Sequence, residues 1–332
     1  MSTIKDVARH TGLSLATISK YMNGGNVLAC NRILIDEAVA ALDYSANFSA
    51  QSLKTNRTKT IGVVMPTLSI PFFGTVVSAL DKTMRAAGYT CLITCYDFDR
   101  ELELEKLRVF ANNRVDGLVL VPENVMPVEL ESIIHMRNRD IPMVLLDRSL
   151  KDFSCDNVVI DNLNITYEAT ERLLTDGYRR IAIIVGPLHI STANERLIGY
   201  RRVQNDYGIT VDDNLIKIGN YDFESGYRLF NEFMDMEEPP TAMIITNYDM
   251  TVGTVAAAYE RGVNLGTDIG FVGFDAMDLC NVRKPLLPFI EQPTELMGQK
   301  AGELLLKRLL GDKEGYPQLI RLKSRFHAPI VR

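Results

Sequence analysis

From residue 60 onward the sequence alternates between two hydrophobic periods, and few folds accommodate that. Short apolar, β-branched runs at 61–65, 90–95, 117–121, 143–146, 158–160, 181–185, 242–245 and 269–274 read as buried parallel strands, because such strands are apolar on both faces. Amphipathic stretches near 73–87, 100–113, 127–138, 163–176, 193–207, 224–235, 249–261 and 294–310 predict helices between them. Gly88, Gly177, Gly208 and Gly262 each fall just past one of these stretches, where a helix C-terminus favours glycine. Alternation over this length predicts a doubly wound α/β body. About eleven strands exceed what one such sheet normally uses, so two lobes with a ligand cleft are expected.

Residues 1–60 break the pattern. They hold no convincing strand. Residues 6–10 and 16–22 predict two short helices, separated by Thr11-Gly12-Leu13-Ser14, and 31–42 predicts a third. Ile4, Val7 and Ala8 share one helical face. Gly12 permits a tight turn, and Ser14 is placed to cap the second helix. Ile18 faces inward. Leu15, Ala16, Thr17, Ser19 and Lys20 are left outward, as the reading end of a helix-turn-helix requires. Lys20 can donate to guanine, Leu15 and Ala16 can touch thymine methyls, and the hydroxyls of Ser14, Thr17 and Ser19 can bind phosphate. Thr3 and Asn23, at the ends of the same segment, complete the candidate set for double-stranded DNA. A small three-helix cap packed on the body is the alternative that spacing alone leaves open. Residues 45–59 are polar, small and basic, and read as a linker with room for a short helix.

Charge separates along the same boundary. Residues 1–60 carry +3 and the remainder −9, within a net −6 for the 332-residue chain. A basic head on an acidic body suits a head that meets a polyanion. Five scattered cysteines (Cys30, Cys91, Cys95, Cys155, Cys280) form no C-x-x-C, which argues against a disulfide framework or zinc site and for a reducing cytoplasm. The start lacks a signal-peptide pattern, and no apolar run approaches a membrane span. The P-loop, G-x-G-x-x-G, H-E-x-x-H and G-x-S-x-G patterns are absent, and four histidines are dispersed. Neither a cofactor nor catalysis is expected.

The string T-I-K-D-V-A-R-H-T-G-L-S-L-A-T-I-S-K-Y-M-N-G resembles the amino-terminal signature of the LacI/GalR family of bacterial transcription regulators, and the resemblance runs through the whole chain. Lys20 stands where most members have Arg, Leu28 where a capping Ser is usual, and Ala46 where Pro is usual. The resemblance implies a hinge helix over 47–53, whose Ala50 and Leu53 enter the minor groove, Leu53 as a wedge. It implies a body like periplasmic sugar-binding proteins. The expected division is 1–45 for the helix-turn-helix, 46–59 for hinge and linker, and 60–332 for effector binding and dimerisation. Lobe one is expected over about 60–160 plus 293–320, and lobe two over about 161–292 plus 321–332.

Within that body, Arg196 and Asp275 are the strongest effector candidates, followed by Asn247 and Gln292. Phe73, Asp147, Arg148, Asp161 and Tyr221 follow from family position. Their chemistry suits a polyhydroxylated or anionic small molecule: carboxylates for hydroxyls, an arginine fork, and aromatic rings for an apolar face. Each has a structural alternative; Asp161, for example, can cap the helix that starts at Asn162. The resulting expectation is a cytoplasmic, homodimeric repressor of an inverted-repeat operator, tuned by a carbohydrate effector. The helix of 75–85 is a candidate dimer element, and no leucine heptad follows the body. A solute receptor with no DNA role, or a doubly wound sugar enzyme with a helical cap, are the alternatives.

Overall fold

The computed structural model describes residues 2–22, 24–44, 57–123, 133, 139–275 and 287–328. Asn23, Ala50, Leu53 and nearly all of the helix expected at 127–138 lie outside them. The chain divides into two compact units, Met1–Thr58 and Lys59–Arg332.

The first unit holds α1 (Ile4–Thr11), α2 (Leu15–Met22) and α3 (Ala29–Ala41). Thr3 and Asp6 form a capping box that starts α1, and Gly12 ends it in the left-handed region at φ 68°. The Ser14 hydroxyl accepts the Thr17 N–H at 3.1 Å and so caps α2, as expected. Leu28 precedes α3 without a side-chain cap. Val7, Ile18, Ile35 and Ala38 are fully enclosed where the three helices meet. Burial of each large aliphatic stabilises by about 1.5–3 kcal/mol. The Tyr21 hydroxyl donates to Asp36 at 2.6 Å and fastens α2 to α3.

Among the described residues, the second unit contains two six-stranded sheets. In chain order its elements are β1 (Thr60–Met65), α4 (Pro71–Ala86), β2 (Thr90–Cys95), α5 (Arg100–Asn112), β3 (Gly117–Leu120), β4 (Met143–Leu146), β5 (Asp156–Ile160), α6 (Asn162–Thr175), β6 (Ile181–Val185) and α7 (Ser191–Asp206). These are followed by β7 (Ile216–Ile218), α8 (Phe223–Met234), β8 (Ala242–Ile245), α9 (Tyr248–Glu260), β9 (Gly270–Phe274), β10 (Phe289–Glu291), α10 (Thr294–Leu309), β11 (Leu319–Leu322) and β12 (Arg325–His327). Sheet one runs β11-β5-β4-β3-β1-β2 and sheet two β12-β10-β9-β8-β6-β7. Each sheet has an apolar cluster on both faces, which explains the near-continuous apolar strands. The expected class, a small helical domain plus a doubly wound two-lobed body, is the one found.

Some expectations need correction. Residues 90–95 are not a buried strand: β2 lies at the edge of sheet one, with Leu92 and Ile93 exposed. The body is not wholly parallel, since β12 runs antiparallel to β10. The short strands β7, β10, β11 and β12 offer too few residues for a periodic signal.

The chain crosses between the sheets three times: at Asp161, at Gln292-Pro293 and at Lys323-Ser324. The last crossover falls beyond the expected 320/321 boundary, because Arg321 and Leu322 still pair with Val159 and Ile160 in sheet one.

Candidate functional site

A cleft opens between the lobes at the carboxyl ends of the strands. Lobe one contributes Ile70, Phe72, Phe73, Phe98, Asp147 and Arg148. Thr192, Arg196, Tyr221, Asn247, Tyr248, Asp275 and the crossover residue Gln292 complete the lining. The empty space, mouth included, is about 440 Å³, of the order that takes one small molecule. Eight of the nine sequence candidates therefore meet there. Asp161 does not. Its carboxylate accepts the Asn164 N–H and caps α6, because the helix begins at the very next residue. Sequence reasoning gave no role to Phe98, Thr192 or Tyr248. Thr192 and Tyr248 sit in the first turns of α7 and α9, a position that could have pointed to them.

Four lining residues, Phe98, Asp147, Tyr221 and Asp275, have φ of 59°, 64°, 63° and 57°. Left-handed backbone is costly for side chains of this kind and tends to survive where function needs it. Two contacts hold the Tyr221 conformation. The Asn247 amide donates to the Tyr221 carbonyl at 3.1 Å while its Oδ1 accepts the Met250 N–H and caps α9. The Tyr221 ring lies so close to Gly186 that a Cβ there would sit 2.0 Å from it. Asn247 is thus committed on both sides to architecture.

Arg196 is also heavily engaged. Its Nε donates to Asn162 Oδ1 at 2.8 Å, its Nη1 donates to the Thr246 carbonyl, and its guanidinium lies 4.2 Å from the centroid of the Phe274 ring. Arg148 donates through Nη1 to the Pro122 carbonyl (3.1 Å) and Glu123 (3.0 Å). Its buried Nε finds no acceptor among the described residues, and neither does Gln292 Oε1 find a donor. Gln292 Nε2 donates to Asp275 at 2.5 Å. Burial pushes the Asp275 carboxyl up to about 6, against the pull of Arg196. Burial also raises Asp147, opposed by Arg148 and Arg196. Behind Arg148, burial carries the Glu103 carboxyl to about 7.

On the head, Ser14, Leu15, Ala16 and Lys20 are exposed, while Thr17 and Ser19 are half-buried. Thr3 is exposed, but its hydroxyl donates to Asp6 at 2.7 Å within the capping box. Among the described residues no cluster fit for a metal ion occurs, and no helix is long and apolar enough to cross a membrane.

Residues 58–326 match the family model described as periplasmic binding proteins and sugar binding domain of LacI family. The chain is 32% identical over 340 residues to the HTH-type transcriptional repressor PurR of Proteus mirabilis (strain HI4320), covering 100% of this chain and 99% of the relative. Among solved structures it resembles a transcriptional regulator CelR–cellobiose complex, with a TM-score of 0.74, 25% identity and 99% of each chain covered. It shares its fold with the Lac repressor dimer bound to operator and the anti-inducer ONPF, with a TM-score of 0.86, 23% identity and 98% of each chain covered. From its helix-turn-helix to its two-lobed body, the chain belongs to the LacI family of transcriptional regulators.

Proposed function

We infer that this chain is an operator-binding transcriptional repressor, working as a homodimer, whose hold on DNA is set by a carbohydrate in the inter-lobe cleft. The observation that carries the effector class is the cleft's unmet hydrogen-bonding capacity. The buried Asp147 carboxylate, the half-buried Asp275 carboxylate and the unpaired Gln292 Oε1 call for a ligand rich in O–H donors. Phe72, Phe73, Phe98, Tyr221 and Tyr248 offer faces for an apolar ring surface. An anion fits less well. Arg148 already pairs with Glu123 and lies 3.7 Å from Asp147, and Arg196, held on two sides, pulls on Asp275, so the two cations of the cleft are matched by carboxylates already present. A neutral sugar is the better match than a sugar acid or phosphate. The cellobiose held by CelR, one of the structural relatives, agrees with that chemistry.

Leu15, Ala16 and Lys20 are the proposed base-reading residues, with Ser14, Thr17, Ser19, Thr3 and Asn23 near phosphate. Ala50 and Leu53 are the proposed minor-groove pair. The effector biases DNA affinity only by its differential affinity for the two arrangements of the lobes.

A thermal-shift screen of neutral sugars, sugar acids, sugar phosphates and nucleobases against the full chain tests the effector class. A neutral sugar is expected to raise the melting temperature. Stabilisation by nucleobases or sugar phosphates alone would overturn it. Selection of genomic duplexes by the full chain tests the DNA role; no enrichment over random sequence, with or without the sugar, would overturn that.

A further inference from the structure

Asn162 is the first residue of α6, immediately after the Asp161 crossover, and is fully enclosed. Its amide faces two charged groups at once. Oδ1 accepts the Arg196 Nε–H at 2.8 Å, and Nδ2 donates to Glu195 Oε2 at 3.2 Å. Glu195 Oε1 lies 3.8 Å from Arg321 Nη1, and Arg321 Nη1 lies 3.9 Å from Asp161 Oδ1. Arg321 belongs to β11, in sheet one. Two hydrogen bonds and an ion pair therefore lead from a guanidinium in the cleft, on lobe two, across the inter-lobe crossover at Asp161 to lobe one.

The amide is well suited to this place. It supplies one acceptor for the cation and one donor for the carboxylate. A carboxylate would hold Arg196 but repel Glu195. An aliphatic side chain would leave Arg196 Nε buried without an acceptor, at the desolvation cost of a charged donor. With Nε on Asn162, Nη1 on Thr246 and one face on Phe274, Arg196 has Nη2 left for the cleft.

We propose that Asn162 is the positioning residue of the effector site: it aims the Arg196 guanidinium into the cleft and, through Glu195 and Arg321, ties that aim to lobe one. The proposal rests on Arg196 contacting the effector, but its test needs no effector. In full-length protein labelled with ¹⁵N-arginine, the Arg196 Nε–H resonance is assigned by its loss in Arg196→Lys. Exchange of that proton with water is then measured.

Asn162→Leu is expected to speed the exchange by roughly tenfold, the scale of one lost charge-assisted hydrogen bond. Asn162→Asp keeps the acceptor and is expected to keep the protection. Arg321→Gln, remote from the guanidinium, is expected to speed exchange by a smaller factor. Exchange unchanged in Asn162→Leu, or lost equally in Asn162→Asp, overturns the positioning role. Wild-type exchange in Arg321→Gln overturns the link to lobe one. Should the leucine variant not fold, Asn162→Ala removes the same two polar atoms with no added bulk and reads the same proton. If Arg196→Ala retained the sugar-induced melting shift, the effector role of Arg196 would fall, even with its Nε–H protected.

Discussion

Asp147 and Asp275 occupy equivalent positions in the two lobes. Each is the first residue after its strand, β4 or β9, and these strands hold the same place in their sheets. Each N–H donates to the neighbouring strand at 2.9 Å, to Val158 in one lobe and Ile290 in the other. Each backbone is left-handed, at φ 64° and 57°. Both side chains line the cleft, where the charge on Asp147 helps to raise the Asp275 carboxyl. The candidate site is therefore built twice by one local geometry.

That pairing predicts an effector affinity that depends on pH. The Asp275 carboxyl titrates near 6, raised chiefly by burial. A charged carboxylate accepts two sugar hydroxyls, and the protonated form accepts fewer. Affinity for the sugar found by screening is expected to hold above pH 7 and to fall by up to about tenfold per unit below 6. Asp275→Asn should weaken binding at neutral pH and flatten the profile. Calorimetry from pH 5 to 8 reads both; a variant that keeps the wild-type slope would remove Asp275 from the titration.

Glu103 predicts a stability effect of its own. Burial raises its carboxyl from 4.5 to about 7, so the folded state holds the proton more tightly than the unfolded chain does. Its contribution is complete below 4.5 and is lost as pH climbs through 7. Glu103→Gln keeps the oxygen that accepts the Glu123 N–H and has no charge to bury. The variant should melt a few degrees above wild type at pH 8, and the gap should close by pH 4. Equal melting curves at pH 8 would contradict this.

Asp156 and Arg308 form a buried, two-pronged ion pair, at 2.6 and 3.1 Å, that joins β5 to α10. Asp156 also accepts the Gln318 N–H at 2.7 Å just before β11. Asp156→Ala would strand a buried guanidinium and should destabilise the chain by about 3–5 kcal/mol. Chemical denaturation measures it, and a loss below about 1 kcal/mol would mean that water reaches the arginine.

Lys20 is exposed on α2. Lys20→Ala is expected to weaken the selected operator by about 1–3 kcal/mol and random duplex by much less. Competition binding at two salt concentrations separates these. Equal losses on both duplexes would make Lys20 a phosphate contact only.

Among the described residues, the long amphipathic helices of the body were legible in the sequence to within a residue or two, because a 3.6-residue period over twelve or more positions leaves little freedom. Strands of three residues, such as β7 and β12, carry no period to read. Exposure of β2 was invisible as well, since its apolar content matches that of a central strand and only its place at the edge uncovers Leu92 and Ile93. Most of the cleft was legible through residues just past strand ends. Asp161 shows the limit of that rule. It follows β5 as Gln292 follows β10, yet α6 starts at once and takes its carboxylate as a cap. Asn162, one position on, emerged only when the fold brought Arg196 beside it.

The three crossings of the chain also bear on synthesis. When the ribosome has finished α10, both sheets still lack an edge strand, because β11 and β12 come last and go one to each sheet. Sheet one then receives its last strand only a few residues ahead of sheet two, and a product cut short after Leu309 would have two open edges rather than one finished half.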